Sequence, residues 1–211
     1  MVTIVSLSTQ LAFEISKTAN RTDPDTPDIP IVVGNFWTTF TYFTAALAAI
    51  VLLVSVIFLA RKKQEPRWLK RLFLASAANT VFVGIFFNLA LREAIPHDTI
   101  NSEYLHVFLP IYMLSDALLN KSREVSPRSM WITAIPGVLW TIAVQIRGPF
   151  TVDSESGAQG WWPYDFINPH LVPGGLPAAI AVSLFLTGII AVLGYFLACI
   201  LYKHRSKNLR S

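Results

Sequence analysis

One cysteine, Cys199, stands in a chain of 211 residues, which excludes a disulfide within the chain and any site of paired thiolates. Charge is scarce as well: 14% of residues are charged against 53% hydrophobic, with a mean hydropathy of +0.49. Soluble domains carry roughly a quarter of their residues as charges, so that class is excluded. Several signatures of soluble chemistry are missing, among them HExxH, GxSxG and the P-loop. No repeat with a period of about 20 to 50 residues occurs, and the amino terminus lacks the basic start and small-residue cleavage site of a signal peptide.

What the chain has is apolar length. Phe36 to Ala60, Leu69 to Leu91, Met130 to Ile146 and Pro177 to Tyr202 reach or approach the roughly 20 helical residues that cross a hydrocarbon core of about 30 Å. A fifth run, Tyr104 to Leu119, is shorter and carries one carboxylate, Asp116, below its first turn. Val2 to Ser16 is interrupted by Ser6, Ser8, Thr9, Gln10 and Glu14 and reads as a short, polar first span. Backbone groups in lipid must bond internally, and continuous apolarity without two-residue alternation selects helices over a barrel. The expectation is an all-α fold: one transmembrane helix bundle over residues 1–211 with six spans.

Charge orients that bundle. Of the 17 Lys and Arg residues, most fall in three clusters: Arg61, Lys62, Lys63, Arg67, Lys70 and Arg71; Lys121, Arg123 and Arg128; Lys203, Arg205, Lys207 and Arg210. The intervening gaps hold Asp23, Asp25, Asp28, Glu93, Asp98, Glu103, Asp153, Glu155 and Asp165. The positive-inside rule assigns the basic segments and both termini to the cytoplasmic side, in the cell membrane if the chain is bacterial. The sequence pI near 9.3 is thus a topology signal; the basic clusters face the anionic inner leaflet, and no nucleic acid is expected.

The longest connection, Arg147 to Leu176, holds Trp161, Trp162, Pro163, Tyr164, Phe166, Pro169 and Pro173. Aromatics of this kind favour the headgroup layer, so the segment reads as a folded outer lid or as a plain interfacial belt. In span two, Thr38, Thr41, Ala45 and Ala48 or Ala49 form a small-residue stripe suited to close helix packing. Span three carries Ser76, Asn79 and Thr80, with Asn88 nearer the outside; such groups commonly bond a neighbouring helix.

His106 lies about one turn below the outer surface, ahead of Pro110. Proline gives no N–H to the carbonyl of residue 106, so a kink and a free acceptor are expected there. A hydrogen-bonded core histidine and a reactive one both fit. Thr38 lies at a similar depth, and a neutral imidazole can activate a threonine hydroxyl; Thr39 and Thr41 are its rivals. Asp116 is about 15 Å below His106 along a helix, too far to orient the ring. Ser76, Asn79, Thr80 or inner-loop lysines are its expected partners, with a proton relay as the alternative. Asn88, Gln145, Arg147, Trp162, Tyr164 and Asp165 are candidates for binding substrate, supporting an oxyanion or shaping the entrance. His97, His106 and His170 with Asp98 are a weak zinc grouping, since no metal-ligand spacing accompanies them. No metal or cofactor is expected.

Phe36-Trp37-Thr38, the segment Leu105 to Pro110, Ile146-Arg147-Gly148 and Trp162-Pro163-Tyr164-Asp165-Phe166-Ile167 resemble, in order, motifs of the androgen-induced gene product family, which includes the androgen-dependent TFPI-regulating protein, and of its bacterial six-span relatives. The resemblance covers about residues 30–200. It implies a membrane hydrolase of fatty acid esters of hydroxy fatty acids, with the nucleophile at Thr38 and the base at His106. This chain has Thr41-Tyr42 where bacterial relatives usually carry Ser-Asn, and Asp165 where they carry proline. The implied partners are the lipid bilayer and a fatty acyl ester, and a homo-oligomer is compatible. A lipid or small-molecule transporter or binding protein is the alternative, and a structural membrane partner a third.

Overall fold

A computed structural model describes residues 1–20, 28–93, 100–120, 123, 125–153 and 156–208, with side chains to residue 202. Among these residues the fold is all-helical, with one isolated bridge between Val152 and Gln159 and no strand. The helices are α1 (Val2–Ala19), α2 (Ile29–Thr38), α3 (Phe40–Ala60), α4 (Arg67–Phe86), α5 (Ile100–Glu103), α6 (Leu109–Leu119), α7 (Trp131–Arg147) and α8 (Gly175–Asn208). A π-helical turn at Phe87–Leu91 extends α4, and another at Tyr104–Phe108 joins α5 to α6 in one continuous helix.

Four stretches are long and apolar enough to cross a membrane: Phe40–Ala60, Arg67–Leu91, Pro127–Phe150 and Gly175–Tyr202. They coincide with the four long apolar runs, apart from their ends. The run from Phe36 divides because Thr39 is extended, with φ −72° and ψ 125°, ending α2 and starting α3 afresh.

The central helix is α4. Its apolar window is 72% buried, against 28% in α3 and 39% in α8, so the others surround it and turn a face outward. Those outward faces are apolar: Ile50, Leu53 and Val56 on α3, Leu139 and Ile142 on α7, Phe185, Val192 and Phe196 on α8 are all exposed. Continuous apolar surface of this kind is what lipid contact requires. One side of α4 packs Leu69, Phe73 and Ala77 with Ala45 and Ala48 of α3 and with Leu109, Met113 and Ala117 of α6. The other packs Leu74, Ala78 and Phe82 with Trp140 of α7 and Ile190 and Leu197 of α8.

Small residues set these distances. A Cβ on Gly84 would lie 2.7 Å from the Pro110 ring, so only glycine lets α4 and α6 approach as they do. Within α4, Asn79 Nδ2 donates to the Ala75 carbonyl of its own helix and to the Thr133 carbonyl of α7, both at 2.8 Å. The second bond is the interhelical contact expected of a buried amide, a contribution of about 1 kcal/mol in a bilayer. Thr80 instead donates to the Ser76 carbonyl.

Asp116 therefore finds a partner other than the polar residues of α4. Arg123 NH1 lies 2.9 Å from Asp116 Oδ2, and NH2 donates to Glu65 Oε1 at 3.1 Å. The guanidinium also sits 3.7 Å above the Phe73 ring. Asn79 and Thr80 have committed their donors to backbone carbonyls, while the fixed charge of Arg123 compensates two carboxylates in a poorly solvated place.

The connection from α7 to α8 folds back as a lid. Trp162 and Ile167 are buried with Phe40, Trp140 and Val144, and Tyr164 and Phe166 pack against that cluster. A Cβ on Gly148 would meet the Trp162 indole at 2.4 Å, so the lid closes through a glycine. The aromatic segment is thus folded onto the helices and does not stand apart from them.

Candidate functional site

Two interrupted helices build the site. Pro110 gives no N–H to the His106 carbonyl, and the π turn at Tyr104–Phe108 sits directly ahead of it. The carbonyl so released accepts from Asn88 Nδ2 at 3.1 Å. Asn88 lies in the other π turn, at the end of α4, and also donates to the Gly84 carbonyl at 2.7 Å. The expected free acceptor thus exists and is taken up by a neighbouring helix. Short π segments disturb the regular ladder and recur at functional sites. Here Phe87 of one stacks on His106 of the other, centroids 3.6 Å apart and planes 12° from parallel.

The ring is oriented from above. His106 Nδ1 is 2.9 Å from the Ser102 carbonyl, one turn earlier, with the Ser102 hydroxyl at 3.3 Å. A carbonyl only accepts, so Nδ1 carries the proton and Nε2 of the neutral ring is an acceptor. Nε2 is 3.3 Å from Thr41 Oγ1, so the Thr41 hydroxyl donates to it.

Thr41 is buried in the first turn of α3. Tyr164 comes from the lid to the cavity wall that Phe40 and Thr41 also form. Burial pushes the Tyr164 phenol above its ordinary value, and nearby polar groups at Phe40 and Thr41 offset only part of that. The net shift is upward, so Tyr164 is a neutral phenol at physiological pH.

These three polar groups face a cavity of about 140 Å³ whose other walls include Phe40, Phe82, Phe86, Trp140, Phe166 and Ile190. Apolar cavities near this size hold a molecule about as large as benzene. A segment of an amphiphile fits, and the remainder must lie outside.

Thr38 is held elsewhere. Its hydroxyl is within reach of the Gly34 and Asn35 carbonyls, at 2.8 and 3.1 Å, and accepts from Arg147 NH1 at 3.3 Å. Its carbonyl accepts from Trp140 Nε1 at 2.7 Å. The extended residue at position 39 takes Thr38 out of the helical row that contains Thr41, Ala45 and Ala48, so His106 is brought to Thr41.

The other candidates mostly fasten the lid and the helix ends. Arg147 ties α7 to α2 through Thr38 and the Ile31 carbonyl. Gln145 donates to the Ile167 carbonyl at 2.9 Å and accepts from Trp162 Nε1 at 3.1 Å, pinning the lid to α7. Asn88 supports the His106 backbone and accepts from Arg92, which also pairs with Glu103. Asp165 is exposed in the short 3-10 turn Asp165–Ile167. Tyr164 is the one residue of this group that lines the cavity with His106.

Residues beyond the sequence candidates complete the site. Ser102 was legible in principle, four residues before His106 on the same helix face. Phe87, Trp140, Ser183 and Thr187 carry no local signal and reach the cavity only through packing. No group of three metal-ligating side chains occurs among the described residues; His97 and Asp98 lie outside them. Compared with protein-family models, with curated proteins and with solved structures, the chain finds no match.

Proposed function

We propose that the chain is a multi-pass membrane hydrolase of lipid esters, with Thr41 as nucleophile, His106 as base and Tyr164 as the phenolic donor to the oxyanion. The observation that carries this reading is the Thr41 Oγ1 to His106 Nε2 contact at 3.3 Å, on a ring whose tautomer the Ser102 carbonyl sets. A nucleophile, a base and an orienter in sequence are the elements that activate a hydroxyl. The resemblance assigns the nucleophile to Thr38; the hydrogen bonding favours Thr41.

In this mechanism His106 Nε2 takes the Thr41 proton as Oγ1 attacks the ester carbonyl. The carbonyl oxygen becomes an oxyanion that receives the Tyr164 O–H, beside the backbone N–H groups of the first turn of α3. Collapse expels the alcohol, which takes its proton from the imidazolium. A water, deprotonated by His106, then attacks the acyl-threonine, releasing the fatty acid and returning the proton to Oγ1.

Substrate enters from lipid, because the cavity walls are largely aromatic and aliphatic and hold only part of an acyl chain. The six-span arrangement belongs to the same proposal: the basic segments at 61–71 and 123–128 face the cytoplasm, and the His106 cavity lies toward the other side. In it α1 packs by its first turns against the start of the α5 helix, through Thr3 to Tyr104 at 2.7 Å and Ser6 to Asn101 at 3.3 Å.

A fluorophosphonate probe should label the wild type and miss Thr41→Ala, and purified protein should turn over members of a panel of fatty acyl esters. Absence of both labelling and turnover would leave the cavity as a binding site for an acyl chain without chemistry, the second reading that its aromatic walls favour.

A further inference from the structure

At the other end of the bundle, α3, the turn after it, α4 and α6 border a second cavity, of about 540 Å³. We infer that it binds the phosphate-bearing headgroup of a glycerophospholipid, with the phosphate on Lys63 and Lys70 and the acyl chains along the flank of α3. This site is separate from the His106 cavity and does not depend on the hydrolase reading.

Charge is the first reason. Among the described residues, both acids that line the cavity, Glu65 and Asp116, are engaged by Arg123. Lys63 and Lys70 line it too, and among the described residues neither pairs with a carboxylate, so two cations are left facing one space. The second reason is unmet hydrogen-bonding capacity. Ser55 and Arg123 are each 5% exposed, yet Ser55 Oγ, Arg123 Nε and Glu65 Oε2 are buried without a hydrogen-bond partner among the described residues. Buried polar atoms are rarely left so, and these three residues border the same cavity. A headgroup that carries both phosphate oxygens and a donor, such as glycerol or ethanolamine, supplies what each lacks: an acceptor for Arg123 Nε and a donor for Glu65 Oε2. Shape is the third. Leu52, Val56 and Leu59 form an apolar side to this polar floor, with Val56 59% and Leu59 76% exposed. Polar floor and open apolar flank together fit an amphiphile better than a free anion.

The test uses the purified full chain in a neutral detergent, with thermal unfolding followed against added dioctanoyl phosphatidylglycerol, dioctanoylglycerol and inorganic phosphate. Phosphatidylglycerol should raise Tm in a saturable way, and the other two should not. Lys63→Gln/Lys70→Gln should weaken the apparent affinity by about 30-fold, from roughly 1 kcal/mol per cation near a membrane surface. Arg61→Gln/Arg71→Gln removes the same charge from exposed positions nearby and should bind as the wild type does. Ser55→Leu, which fills the floor without altering charge, should also lose the lipid shift. An equal shift with inorganic phosphate would make this a site for the free anion. An equal shift with dioctanoylglycerol, or equal losses in the two double variants, would overturn headgroup recognition, as would no shift with any of the three.

Discussion

Two polar centres lie on one run of helix, His106 near its start and Asp116 about 15 Å further along, and they are built on opposite principles. Around His106 the groups are neutral hydrogen-bonding pairs: a carbonyl above the ring, a hydroxyl below it, a phenol beyond the hydroxyl. Around Asp116 they are full charges, with Arg123 held between two carboxylates and over the Phe73 face. A neutral network exchanges protons without stranding a charge in a poorly solvated interior. A charged one fixes geometry, because removing any member leaves its partners uncompensated. The first arrangement suits chemistry and the second suits fastening the turn after α3 and the end of α6 through Arg123.

Substitution sharpens that contrast. Thr41→Ala should lower ester turnover by about 10³-fold or more while leaving the thermal midpoint nearly unchanged. Thr38→Ala should stay within about tenfold of wild type, since its hydroxyl is committed to the Gly34 and Asn35 carbonyls. If labelling survives in Thr41→Ala and vanishes in Thr38→Ala, the nucleophile is Thr38 and the site must rearrange before it reacts. At the charged centre the effect should fall on stability. Arg123→Ala should cost about 3–5 kcal/mol in denaturant unfolding, whereas Arg123→Met combined with Asp116→Leu and Glu65→Leu should restore most of that. Equal losses in both would mean that packing on Phe73, and not charge compensation, holds these two segments.

Smaller effects probe the lid. Tyr164→Phe should reduce kcat by about 100-fold with little change in KM, because the proposed donation of the phenol is to the oxyanion and not to bound substrate; a KM effect instead would assign it to substrate binding. The same residue gives a pH signature. Its folded phenol titrates above the ordinary value of 10.0, so the folded form keeps a proton that the unfolded chain loses as pH passes 10. Stability from this group is complete below that point and falls above it, by at most about 1.4 kcal/mol per pH unit. Unfolding measured between pH 9 and 11 should show a shallower decline in Tyr164→Phe.

Much of the bundle was legible before any coordinates. The four long apolar runs became four helices able to cross a membrane, because an uninterrupted apolar segment has one favourable conformation in lipid. The release of the His106 carbonyl by Pro110 was also local, a consequence of a missing N–H four residues on. Thr41 was visible only as one of three threonines. Choosing among them needed the extended conformation of Thr39, which no propensity in Thr38-Thr39-Phe40-Thr41 announces. Likewise Gln145, Arg147 and Trp162 carry the polarity of binding residues, yet their donors are spent on holding the lid and the end of α7.

The amino-acid order by itself therefore determined which four segments form long apolar helices, and where one carbonyl would be set free. These follow from hydropathy and backbone chemistry, which act within a few residues. Tertiary structure alone decided that His106 faces Thr41, that Arg123 answers Asp116, and that Tyr164 comes down onto the first turn of α3. Each is a contact between groups far apart in the chain, set by where π turns and an extended residue rotate the helices.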